Sequence, residues 1–185
     1  MNMEVNVSKI AGELKIKTPD LITRSIGRAV YEKVRKLMQF AGSGETAIFD
    51  LERIVVMDSS FIDEFLVASI VDTMRLEPDC FIKLRNISPI SEINIDLVFR
   101  SYSNYKNNRI AVITDGICQN NSFYIGQLTS VEGDILEYLR INRSVSTEEI
   151  SNFTGTGLSD IDRIMNGLFA LRIVKREAPG LFFAV

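Results

Sequence analysis

A chain of 185 residues, 46% of them hydrophobic, can bury one large core or two modest ones, since domains usually run to about 100–150 residues. Its net charge of −3 and pI near 5.1 exclude an overall basic field that would draw it onto nucleic acid or an anionic membrane, so binding of either kind needs a local patch. The chain has no histidine, and its two cysteines, Cys80 and Cys118, lie in strand-like surroundings without CxxC spacing. That leaves no thiolate–imidazole metal site and no disulfide framework, and no motif for a cofactor.

The opening MNMEVNVSKIAG lacks the basic start and apolar block of a signal peptide, and the apolar runs fall far short of the roughly 20 residues that span a bilayer. A cytoplasmic protein with no membrane segment is expected. Met3 to Ile10 alternates apolar and polar residues, Ala11-Gly12 reads as a turn, and Leu14 and Ile16 continue the alternation, so a hairpin is predicted. Thr18-Pro19-Asp20 then supplies a cap, a first-turn proline and an acid. The predicted helix that follows commits Ile22, Ile26, Val30, Val34 and Leu37 to a core. On it Arg24, Arg28, Tyr31 and Arg35 form a second stripe, either a solvated face, a dock for an acidic partner, or a surface pairing with the acidic start of the next helix in a homodimer.

TAIFDL, CFIKLRN and RIAVITDG read as strands, RIVVM as a short apolar run, and the segments from Ser60 to Leu76 and from Ser88-Pro89 onward as helices. This alternation implies an α/β sheet with packed helices over residues 1–120. ICQNNSFYIGQ is a polar connector or a last edge strand. Beyond it the pattern changes: Thr129-x-x-Glu132 and Ser146-x-x-Glu149 are capping boxes, helices are predicted over about 130–140, 147–153 and 158–170, and RIVKRE, APG and LFFAV make a hairpin. Three helices and a hairpin over 127–185 describe a small winged helix-turn-helix domain.

Asp58-Ser59-Ser60 closes the run AIFDLERIVVMDSS. As structure, Ser60-x-x-Asp63 is a helix cap, with Ser59 and Asp58 competing for the position. As function, Ser59 and Ser60 are phosphorylation candidates, because a phosphoryl group at a helix start is favoured by free N–H groups and adds charge beside Asp58, Asp63 and Glu64. The run resembles the strand, turn and helix start of STAS domains, the fold of bacterial anti-sigma factor antagonists. LITRSIGRAV and SFIDEF are closer still to a bacterial STAS-like family of unknown function, and together these motifs cover about residues 10–115. The resemblance implies a STAS-like sheet and a serine phosphorylated by an anti-sigma factor of kinase-type ATPase fold, a position that falls on Ser59. Where antagonists usually carry glycine after the serine pair, this chain has Phe61, which the STAS-like family shares.

The expected function is non-enzymatic regulation by protein association of the partner-switching kind, through Asp58, Phe61, Asp63 and Glu64 and through Arg24, Arg28 and Arg35. The alternative is a transcriptional regulator that reads DNA with Ser159, Arg163 and Asn166 on the third helix and Lys175 and Arg176 on the wing. Charge weighs against it: residues 126–185 hold six Lys/Arg and eight Asp/Glu, and Asp160 and Asp162 would face phosphates. An enzyme built on Asp50, Asp58 and Asp63 lacks a nucleophile–base pair, a phosphate loop and metal-ligand spacing.

Overall fold

In the first unit the pairing of strands aligns one buried apolar face, while Ile48, Phe81 and Ile113 lie on the other. A computed structural model describes residues 2–17, 19–75 and 79–185, and the chain divides into two compact units, 1–127 and 128–185. The first is built on a five-stranded, mostly parallel sheet of β1 (Asn2–Asn6), β3 (Thr46–Asp50), β5 (Phe81–Arg85), β6 (Ala111–Thr114) and β7 (Tyr124–Gly126), in that order. Only β7 runs antiparallel, against β6. The register sets Val5 beside Phe49, Ala47 beside Ile82 and Phe49 beside Leu84. These five side chains, with Val112, lie in one buried core. The opposite face, with Ile48, Lys83 and Ile113 in neighbouring register, is half-buried.

The helices α1 (Val7–Glu13), α2 (Arg24–Met38) and α5 (Pro89–Lys106) send Ile10 and Ala11, Val30 and Val34, and Ile95, Val98 and Phe99 into that same core. Right-handed crossovers between successive parallel strands lead to such a single helical layer. Between β3 and β5 the chain makes the two-residue β4 (Val56–Met57), which pairs in parallel with β2 (Asp20–Leu21). It then makes one long helical run: α3 (Ser59–Ile62), a π-helical stretch (Asp63–Val67) and α4 (Ala68–Arg75).

Two expectations are corrected here, and one open choice is decided. The N-terminal hairpin does not form: β1 pairs in parallel with β3, Asn6 caps α1 by accepting from the Lys9 N–H, and Val7, Ile10 and Ala11 are buried at helical spacing. The arginine-bearing helix starts at Arg24, and its buried stripe is Gly27, Val30 and Val34, while Ile22 and Leu37 are exposed. Thr18, the expected cap, and Leu76, the expected end of the next helix, lie outside the described residues. The segment read as a connector or an edge strand contributes β7, so the first unit runs past position 120 to Gln127.

The second unit holds α6 (Ser130–Asn142), β8 (Ser144–Ser146), α7 (Thr147–Thr154), α8 (Leu158–Ala170), β9 (Val174–Ala178) and β10 (Leu181–Ala184). The strands form an antiparallel sheet in the order β8-β10-β9. Both capping boxes are made, Thr129 with Glu132 and Ser146 with Glu149. Its buried residues include Ile135, Leu139, Val145, Ile150, Ile161, Met165, Leu168 and Phe182.

Candidate protein-interaction site

The head of α3 is set by Asp58. Its backbone is extended (φ −81°, ψ 167°), as an N-cap requires, whereas Ser59 and Ser60 are already helical. The cap is therefore Asp58 and not Ser60. Its Oδ1 accepts from the Phe61 N–H at 2.7 Å and from the Ser60 hydroxyl at 3.0 Å. Oδ2 accepts from the Thr23 N–H at 3.2 Å, and Thr23 reaches it from a backbone at φ 79°, a conformation that costs a β-branched residue energy. Burial alone would raise the Asp58 pKa, but the hydrogen bonds from Phe61, Thr23 and Ser60 hold it below the ordinary carboxylate value. With the cap supplied by Asp58, Ser59 is exposed and its hydroxyl has no hydrogen-bond partner among the described residues.

Phe61 is 0% exposed, and its ring lies 5.4 Å from that of Phe65, which stacks in turn on Phe49. It is a core residue and is removed from the set of partner contacts. The reason is helical geometry: two positions after Ser59 the helix turns its side chain toward the sheet.

Helix α2 comes very close to this helix head. A Cβ on Gly27 would stand 2.8 Å from the Phe61 carbonyl oxygen and 3.1 Å from the Glu64 Cβ, so only glycine permits the approach. One turn earlier, Arg24 Nη1 meets Glu64 Oε1 at 2.6 Å and Asp63 Oδ2 at 3.2 Å. Farther along, Arg35 Nε lies 3.5 Å from Asp72 Oδ2, which also accepts from the Tyr31 hydroxyl at 2.6 Å. Burial and that carboxylate push the Tyr31 pKa up to about 12. Arg24 and Arg35 thus pair within their own chain. Arg28 is exposed and has no partner among the described residues.

Ser59 and Ser60 open onto a groove of about 550 Å³ whose other walls are Arg24, Asp63 and the C-terminal half of α5, with Leu97, Tyr105 and Lys106 among its lining residues. Sequence reasoning gave α5 no functional role. The available signal was the spacing of its apolar residues, which serve two faces: Ile95, Val98 and Phe99 face the core, and Ile90, Ile93 and Leu97 do not.

The three carboxylates considered for catalysis have separate partners. Burial would raise the Asp50 pKa, yet Arg85, Asn86 and the Glu52 N–H hold it low. Asp58 is the cap, and Asp63 pairs with Arg24.

In the second unit Ser159, Arg163 and Asn166 are exposed on α8 together with Asp160 and Asp162. Arg163 Nη2 is paired with Asp160 Oδ1 at 2.8 Å. Arg176 stacks 4.4 Å over the Phe169 ring and points Nη1 at Asn166 Oδ1, 3.5 Å away. Lys175 lies 6.0 Å from the Phe183 ring centroid. The basic residues of this face are therefore engaged by their own neighbours.

No protein-family model matches the chain, nor does any curated protein or solved structure.

Proposed function

We propose that this protein is a non-enzymatic regulator that works by reversible association with another protein at the head of α3, and that Ser59 is the position at which the association is switched. The observation that carries this reading is a hydroxyl with no structural task. Asp58 caps the helix, so Ser59 stands exposed on the rim of a groove with neither a cap nor a packing role. The resemblance of AIFDLERIVVMDSS to STAS domains is supported by its course from β3 through β4 into α3, and the order of helices and strands after Leu128 supports a winged helix.

Phosphoryl transfer from ATP on a partner kinase to Ser59 Oγ would add about −1.5 to −2 charge beside Asp58, Asp63 and Glu64. The new group would compete with Glu64 and Asp63 for the Arg24 guanidinium in the same groove, because Arg binds phosphate in a bidentate fork. An acidic or apolar partner would then be expelled.

The test is to isolate the partner by pull-down and measure its affinity for wild type, Ser59→Ala and Ser59→Asp, with unfolding curves for all three. Ser59→Ala should bind as wild type does, and Ser59→Asp about tenfold or more weakly, a change of about 1.4 kcal/mol, without a matching loss of stability. Equal affinities across the three would reduce the serines to a signature of the fold. DNA binding through α8 is the second reading, favoured by the helix and strand order and opposed by the acids of α8.

A further inference from the structure

The outer face of α5 is apolar where an ordinary surface helix is polar. Ile90, Ile93, Leu97 and Tyr105 are 52%, 51%, 59% and 86% exposed. Their spacings of three, four and eight residues put them in one stripe along the helix, with the small, exposed Ser101 filling the remaining turn. Beside the stripe, Arg100 Nε pairs with Asp96 Oδ2 at 2.7 Å, and both side chains reach solvent.

We infer that this stripe is a self-association seam, occupied by α5 of a second copy of this chain in antiparallel orientation. The pattern is self-complementary about a two-fold axis level with a point between Leu97 and Val98. Leu97 then meets Leu97 of the second copy, Ile93 meets Ser101, and Ile90 meets Tyr105, so each apolar side chain of the stripe has a counterpart on the second copy. In an isologous contact, a residue that meets a second residue is met by it in return. Antiparallel helices bring like flanks together, and so Asp96 of each copy falls within reach of Arg100 of the other. The charges along the seam are therefore matched on both sides of the axis. A partner of unrelated sequence would need that complementarity by accident, whereas a second copy has it by symmetry.

The seam shares Leu97 and Tyr105 with the groove at Ser59, so a second copy on α5 and a partner at Ser59 compete for those side chains. Charge-pair variants read the seam, and Ser59 variants read the groove. Sedimentation equilibrium of the full chain should give twice the 20.8 kDa of one copy at micromolar concentrations. Leu97→Glu should weaken association at least tenfold while leaving the circular dichroism spectrum unchanged, since the side chain is exposed. Asp96→Arg and Arg100→Asp should each be monomeric, because each puts like charges across the axis twice. Mixed in equal amounts they should recover a dimer, because every cross-axis pair is then opposite in sign. A wild type that stays monomeric at about 100 µM, far above the micromolar range of a stable dimer, would overturn the inference. So would a dimer indifferent to all three substitutions, or single variants whose mixture remains monomeric.

Discussion

Replacing Gly27 with alanine sets two effects of opposite sign against each other, and the structure decides between them. Gly27 lies within α2, where helix propensity alone favours alanine by about 0.8–1 kcal/mol. The added methyl would lie 2.8 Å from the Phe61 carbonyl oxygen and 3.1 Å from both the Phe61 Cα and the Glu64 Cβ. Two of those three atoms are backbone, so no side chain can rotate away, and α2 must move. With two of the three contacts on backbone, the overpacking cost falls in the upper part of its usual range, about 2–3 kcal/mol, leaving a net loss of about 1–2 kcal/mol once the propensity gain is subtracted. In a urea titration followed by circular dichroism, an m-value of about 2 kcal/mol/M converts this to a midpoint lower by about 0.5–1 M. Gly12→Ala in α1 is the control. No atom lies within 4 Å of its added Cβ, so stability should hold or rise by up to about 1 kcal/mol. The same movement of α2 would draw Arg24 away from Glu64. A Gly27→Ala protein as stable as wild type would refute the reasoning, since it would mean that α2 withdraws from the helix head without cost.

Asp58→Asn should flatten the acid limb of stability. Because the folded pKa of Asp58 is depressed, its contribution is in place above the unfolded value of about 3.9 and is lost as pH falls through the folded value. Urea titrations between about pH 3 and 7 should show a shallower acid limb for the variant, and an identical slope would contradict the assignment. In the second unit, titration against pooled random duplexes should give weak, salt-sensitive binding with no enriched sequence. A tight specific site abolished by Arg163→Ala would reverse the order of the two functional readings.

The elements most legible in the sequence were those with a local chemical signature. Thr129 with Glu132 and Ser146 with Glu149 form closed two-residue devices, and Ser88-Pro89 starts α5 because a cap and a first-turn proline act on the backbone beside them. Elements decided by distant partners were not legible. Met3 to Ile16 reads as a hairpin as readily as a strand and a helix, and the choice depends on β3, some forty residues away, accepting β1 in parallel. Asp58, Ser59 and Ser60 are all competent caps, and the Thr23 N–H donating to Asp58 from thirty-five positions upstream favours the first. Phe61 enters the partner set through its place directly after the serine pair, but the direction it points depends on the sheet beneath it. Of the groove, the α3 wall is legible in the sequence, whereas the α5 wall arrives only through tertiary packing.

The π-helical stretch at Asp63–Val67 carries one residue more than a uniform α-helix would use over the same rise. Deleting a single residue there would leave the apolar pattern of α4 intact, with Ile70 still facing inward. Unless the stretch closes into uniform α-helix, the part of the helix before it, Ser59 to Ile62, turns by about 100° around the helix axis, which carries Ser59 away from Tyr105 and takes the buried Phe61 and Ile62 off the core. The length of this segment is thus an angular setting. A one-codon deletion, the smallest change of length a gene can make, would therefore cost both the serine's place at its groove and the packing of the helix head beneath it.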